Sequence, residues 1–293
     1  FAHDEETYKA LEASKAWSKA EMIAPKQFRE EISPYFNANP KKYISALVSE
    51  DCWQATPGKV VDLVRNLGIA AGGTVMEDCR GLEACREGKY TSVLVQTHDK
   101  KYVEYRTEHF VNALGSGAGK LCDSMGIDAG LYPVRHQAFI TRRLPMLGKH
   151  GTNLDMLIDR QDYKGFSAVY GQQIAYTGQI IGCASPKLDA MRIDKNLKVN
   201  TKAFLEIVSE MFSEWIPDLA GVGIQAVWAG YYTEPRYIVD PELGLFVGMR
   251  GHGFMLSQYI ARMYVDKLLG RPVPEYFEKL KLNGPGLSEK AFK

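Results

Sequence analysis

Leu245-Phe246-Val247-Gly248-Met249-Arg250-Gly251-His252-Gly253-Phe254-Met255 is the stretch on which the reading of this chain turns. An apolar triplet enters a loop with glycine at three of six positions, and a helical pattern then runs from Phe254 to Leu269. Strand, glycine loop and helix in that order aim backbone N–H groups and the positive end of a helix at an anion or a strong acceptor. The alternative reading is a tight strand-to-helix turn whose glycines serve only positive φ.

Upstream, Gly115-Ser116-Gly117-Ala118-Gly119-Lys120 is a second glycine cluster between an apolar segment and a helix. It fails as a phosphate-binding P-loop, because Leu114 and Leu121 stand where the first glycine and the final Ser or Thr belong. It fails as GxGxxG, because Lys120 replaces the third glycine. No other GxGxxG occurs in the 293 residues, which argues against a nicotinamide-dependent dehydrogenase.

Outside these clusters helical and strand patterns follow one another. Residues 5 to 21 suit an amphipathic helix and 26 to 31 a short one, and 43 to 48 suit a strand. Thr56-Pro57-Gly58 opens a helix expected to end at Gly68, followed by a short strand near 69 to 76. Residues 92 to 97 and 102 to 105 read as a hairpin turned by His98-Asp99-Lys100-Lys101, and 108 to 114 as a buried strand. Residues 132 to 185 carry four β-like runs, 201 to 212 a helix, and 225 to 232 and 244 to 247 further strands before a short tail after Pro272 and Pro274.

Composition excludes several classes. With 45% hydrophobic and 24% charged residues the chain is of ordinary globular type. A net charge of +1 from 36 basic and 35 acidic residues supplies no field for nucleic acid. No apolar run approaches the roughly 20 residues of a membrane span. Five cysteines without a CxxC pair fit reduced thiols and a cytoplasmic setting, and no metal-ligand spacing is present.

Five motifs then fall in a telling order. Ala55-Thr56-Pro57-Gly58 with its helix and Gly73-Thr74-Val75 comes first, then Val111-Asn112-Ala113-Leu114-Gly115, Pro133-Val134-Arg135-His136-Gln137, Trp228-Ala229-Gly230 and finally Gly248–Met255. From 50 to 270 this order resembles the FAD-dependent oxidoreductase family that includes D-amino-acid oxidase, glycine oxidase and sarcosine oxidase. The chain departs from it at Gly117, where the family often has tryptophan, and at Tyr232 to Tyr237, which replaces an Arg-Pro-x-x-Pro-Asp run. Those departures bear on the substrate more than on the cofactor.

The resemblance implies an α/β (α+β) chain: an FAD-binding Rossmann-like domain, incomplete at its N-terminus, with an antiparallel-sheet substrate domain. The expected segments are 1–131 (FAD-binding), 132–225 (substrate-binding) and 226–293 (FAD-binding again). It implies FAD and oxidation of the C–N bond of an amino acid or secondary amine by hydride transfer to flavin N5. Cofactor contacts are expected at Val75, Ala113, Gly115, Gly248, Arg250, Gly251, His252, Gly253, Phe254 and Met255, with the N–H groups of 251–254 facing the N1–C2=O edge. Tyr170, Tyr232 and Arg250 are the candidate catalytic residues. For the tyrosines the other reading is a core residue; Arg250 suits the flavin, a substrate carboxylate or plain surface, and His252 the flavin or the loop. Because the family's fingerprint precedes anything resembling Phe1, an N-terminal FAD-binding segment or partner chain is expected to hold the ADP half. The competing expectation is a non-catalytic subunit or assembly factor derived from the same family.

Overall fold

A computed structural model of the chain describes residues 1–37, 39, 41–50, 52–147, 154–159, 166–174, 177–186, 197 and 201–286. In chain order its helices are α1 (Glu5–Ser14), α2 (Pro25–Gln27), α3 (Pro57–Ala70), α4 (Ala118–Ser124), α5 (Thr201–Trp215) and α6 (Gly253–Leu268). Its strands are β1 (Ala20–Ile23), β2 (Ala46–Ser49), β3 (Arg80–Glu87), β4 (Tyr90–Gln96), β5 (Tyr102–Thr107), β6 (Tyr132–Thr141), β7 (Leu157–Asp159), β8 (Phe166–Ile174), β9 (Gln179–Pro186), β10 (Ile224–Glu234), β11 (Ile238–Asp240) and β12 (Leu245–Val247). The described residues form two compact units. One draws on Phe1–Cys52, Arg135–Asp189 and Asp194–Gly230, and the other chiefly on Trp53–Val134 and Tyr231–Lys293.

The first unit is built on a five-stranded sheet of order β10-β6-β9-β8-β7, in which β6, β9, β8 and β7 pair antiparallel. Its apolar residues meet α5, which buries Phe204, Val208, Met211, Phe212 and Trp215, and the Phe212 ring packs edge-on to Phe139 at 5.2 Å. Residues 1–52 belong here rather than with 53–131. The Phe1 ring stacks on Phe36 at 4.7 Å and meets Phe28 edge-on at 5.5 Å, beside Tyr43 and the buried Trp215. Offset and edge-on ring pairs at such spacings add to the area they bury, so this aromatic cluster is the physical reason for the assignment.

The second unit contains the antiparallel sheet β3-β4-β5 and the small pair β11-β12. The expected hairpin is present, its turn held by Thr97 Oγ1 donating to Asp99 at 2.5 Å and by Lys100 at φ +65. Beside β12, Asn112 forms a parallel bridge to Leu245: its N–H donates to Gly244 O at 2.8 Å and its carbonyl accepts from Phe246 N at 3.0 Å. Helix α6 buries Ile260, Met263 and Tyr264 in a cluster with Tyr237 and Val239, which Phe277 and Leu280 complete.

Several expectations are corrected. The first helix stops at Ser14 and β1 occupies 20–23, because Met22 and Ile23 pair with β2 instead of extending an exposed helix. Helix α3 runs through Gly68 to Ala70, and Gly72 at φ +93 turns the chain, so no strand forms over 69–76 among the described residues. Of 108–114 only Asn112 is buried, and the segment is a one-residue bridge rather than a buried strand. The tail after Pro274 forms a 3-10 turn, Glu275–Leu280, with Phe277 and Leu280 in the core. No described helix is long and apolar enough to cross a membrane.

Candidate functional site

The bridge between Asn112 and Leu245 decides where the two glycine clusters stand. Two neighbouring parallel segments both end here, one leading into Ala113–Gly115 and the other into Gly248–Gly253. In open sheets with parallel strands, ligands bind beyond the carboxyl ends, where loops diverge and helix N-termini point inward. Asn112 braces the corner: its Nδ2 donates to Ala118 O at 3.0 Å and lies 3.5 Å from Cys122 Sγ, and its Oδ1 accepts from Leu114 N at 3.3 Å. Sequence reasoning treated Asn112 as one letter of a motif, whereas its side chain ties the bridge to the first turn of α4.

Gly248 and Gly251 are glycine for different reasons. Gly248 has φ +72, and a Cβ there would lie 1.9 Å from the Arg236 carbonyl oxygen. The turn therefore needs its hydrogen atom for close backbone approach, and Gly248 serves the loop's shape. At Gly251 the obstacle is an aromatic ring, since a Cβ would meet Tyr232 Cε2 at 2.7 Å. Tyr232 thus lies directly against the loop. Gly253 has helical φ −55 and opens α6.

Helix α6 begins without a side-chain cap: His252 occupies the N-cap position and makes no capping hydrogen bond. Its Nδ1 is instead 2.5 Å from Tyr237 Oη. Burial raises the Tyr237 phenol above its ordinary range, opposed by Arg250 and reinforced by Glu234, so the hydroxyl stays protonated beside the imidazole. Arg250, at φ +49, is ion-paired through Nε to Glu234 Oε2. Both side chains are largely withdrawn from water, at 20% and 14% exposure. Glu234 and Tyr237 were missed from sequence. A signal was present, because Tyr232 and Glu234 are two apart on β10 and share one face of the strand.

The remaining candidates are placed as follows. Phe254 and Met255 are exposed in the first turn of α6, 46% and 67%. Ala113 and Gly115 are exposed at the end of the bridged segment. Val75 is exposed in irregular chain, and the neighbouring Met76 accepts a 3.5 Å hydrogen bond from Tyr105 on β5. Tyr170 belongs to the first unit, on β8 opposite Cys183 of β9, and its hydroxyl is hydrogen-bonded to that thiol. Burial pushes the Cys183 thiol up to about 11, partly offset by Tyr170, so it remains protonated. Among the described residues no group of three His, Cys, Asp or Glu has metal-binding geometry.

The corner passes a fit test for a flavin ring. Glycine at 251 lets the Tyr232 ring lie against the loop as an aromatic wall, the first turn of α6 starts without a side-chain cap, and the flanking Phe254 and Met255 are exposed apolar groups.

A model of the family described as DAO, FAD dependent oxidoreductase, matches residues 1–267. A sequence comparison with curated proteins finds no match. Among solved structures, the L-proline dehydrogenase from P. horikoshii aligns with TM-score 0.77 at 23% identity, over 96% of this chain and 74% of that one. The glycine oxidase from Geobacillus kaustophilus aligns with TM-score 0.74 at 16% identity, over 96% and 72%. NikD, an amino acid oxidase of nikkomycin biosynthesis, aligns with TM-score 0.70 at 15% identity, over 92% and 70%. At these identities the structures establish a shared fold.

Proposed function

Since the chain belongs to the DAO family of FAD-dependent oxidoreductases, we propose that it oxidises the C–N bond of an amino acid or secondary amine, with the Arg250–Met255 loop bordering the flavin ring. The observation that carries this reading is the parallel bridge from Asn112 to Leu245, whose two carboxyl ends open onto the uncapped start of α6. Solved relatives named as proline dehydrogenase, glycine oxidase and amino acid oxidase support the substrate class. The second unit, with Trp53–Val134 and Tyr231–Lys293, is then the cofactor-binding part, and the antiparallel sheet of the first is the substrate-binding part.

Bound FAD supplies the chemistry by accepting hydride from the carbon that carries nitrogen, so the protein's own task is orientation and electrostatics. The N–H groups of Gly251, Gly253 and Phe254 would stabilise negative charge at a flavin edge, assisted by the positive end of the 16-residue α6, whereas the His252 N–H is taken by Met249 O at 3.0 Å. The Tyr237 hydroxyl, hydrogen-bonded to His252 Nδ1, fixes the orientation of the imidazole ring. Tyr232, lying over Gly251, is the aromatic wall of the site in this unit. Arg250 orients a substrate carboxylate.

The test is anaerobic mixing of the purified protein with a panel of amino acids and secondary amines while the flavin absorbance is followed. Bleaching by at least one member of the panel is expected. Bound flavin that no amine bleaches would favour a non-catalytic subunit.

A further inference from the structure

Arg250 already has a carboxylate. Its Nε pairs with Glu234 Oε2, and the two side chains are only 20% and 14% exposed. A pair so withdrawn from water differs from a surface salt bridge, whose net contribution is close to zero, because neither charge is easily rehydrated when the other leaves. The backbone holds the arrangement. Arg250 keeps a left-handed φ of +49, unusual for a residue with a side chain, and Glu234 lies two residues beyond Tyr232, whose ring covers Gly251 of the same loop. The phenol of Tyr237 senses both charges, so all three groups share one small region.

We propose that Glu234 is the specificity-determining residue of this site: it occupies Arg250 in the resting protein, and the carboxylate of an amino-acid substrate must take its place. The inference rests on the reading of the Arg250–Met255 loop as the border of flavin and substrate. One guanidinium binds a carboxylate strongly through its planar fork, but two carboxylates crowded on it repel each other. An amino acid therefore enters by exchange, swapping one charge-assisted contact for another, whereas an amine without a carboxylate leaves the internal pair intact. The exchange replaces one ion pair by another and breaks no covalent bond. Discrimination between amino acids and amines is set by how firmly Glu234 holds Arg250.

Propionate is a suitable probe, since it presents a carboxylate and cannot be oxidised at a C–N bond. Its binding to the flavin-loaded wild type, Glu234→Gln and Arg250→Ala is read from the perturbed flavin spectrum. KM and kcat are then measured for an amino acid that bleaches the flavin and for the corresponding decarboxylated amine. Glu234→Gln keeps the side chain's shape and removes its charge. It should tighten propionate about tenfold and lower the amino acid's KM relative to the amine's by a similar factor, acting on KM more than on kcat. Arg250→Ala should weaken propionate. If Glu234→Gln leaves propionate unchanged while Arg250→Ala weakens it, the role of Glu234 is overturned and the site stands. If neither variant alters propionate binding, the site reading itself fails. Should Glu234→Gln not fold, Glu234→Asp retains the charge on a shorter arm and must tighten propionate in the same direction, or the proposal is lost.

Discussion

Replacing Gly248 by alanine separates a loop shaped by backbone packing from one that merely tolerates glycine. The added Cβ would stand 1.9 Å from Arg236 O and 3.0 Å from Arg236 C, so the carbonyl must retreat by more than an ångström to reach 3.0 Å, the closest approach such atoms accept. No flexible side chain can absorb this, because both obstructing atoms are main chain. Retreat is also resisted: Arg236 anchors its segment by donating to Gly284 O at 3.0 Å and to Leu282 O, and Ile238 is paired with Val247 across β11-β12. Alanine at φ +72 costs about 1 kcal/mol, and overpacking a rigid site about 1–3 kcal/mol, giving about 2–4 kcal/mol in all. For a chain of this size that lowers Tm by roughly 5–10 °C. The matched control is Gly253→Ala. There φ is helical, the one tight contact is Met249 Cβ at 3.0 Å rather than a carbonyl at 1.9 Å, and alanine's helix preference offsets up to about 1 kcal/mol. Thermal melts followed by circular dichroism and by the fluorescence of released flavin would rank the three proteins. A Gly248→Ala protein as stable as wild type, or a Gly253→Ala protein equally damaged, refutes the reasoning.

Tyr237→Phe removes the hydroxyl hydrogen-bonded to His252 while keeping the ring. The expected result is a fall of about 5–10-fold in kcat/KM with an altered pH profile and about 1 kcal/mol of stability lost, and an unchanged pH profile would contradict the positioning role. In the first unit, His3 Nε2 lies 2.6 Å from Asp159, whose side chain is fully buried. Burial opposes protonation of His3, but the hydrogen bond and charge of Asp159 outweigh it and raise its pKa. The pair's stabilisation, about 2 kcal/mol, is fully present below the unfolded histidine pKa of about 6.5 and is lost as pH rises through the folded value. The stability gap between wild type and Asp159→Asn should therefore shrink as pH rises above about 6.5, and a flat gap would refute the linkage. Cys183, buried and protonated, should resist thiol reagents in the native protein, and labelling as fast as that of the exposed Cys52 would contradict this.

Elements with a strong internal pattern were legible in the sequence. Alternation over β6, β8, β9 and β10, and the apolar stripe of α6, placed those elements within a few residues of their observed bounds. What failed was information that resides in pairing partners. From sequence no element is assigned to Arg80–Glu87, which becomes β3 because β4 pairs with it through a bulge at Gly81–Glu83. Val75 and Met76 look like a strand, yet they follow the Gly72 turn and are exposed. Residues 1–52 join the first unit through ring contacts of Phe1 with Phe36 and Trp215, which no local pattern encodes. At the site, the glycines were found from spacing, but their reasons were not: Gly248 answers to Arg236 and Gly251 to Tyr232, both distant in local pattern. Arg250 was left open between three roles because its partner Glu234 lies 16 positions upstream on another element.

The claim that the loop before α6 borders the flavin ring is tested most directly by the ratio of bound FAD to folded protein in Gly253→Trp, with Gly253→Ala alongside. Both substitutions sit at helical φ, so both proteins should fold, as their circular dichroism would report. The tryptophan alone fills the space before the first turn, and its FAD content should fall to a small fraction of that in wild type while the alanine variant keeps its own. A tryptophan variant with full FAD content and an unshifted flavin spectrum would contradict the placement of the ring at Gly251–Met255.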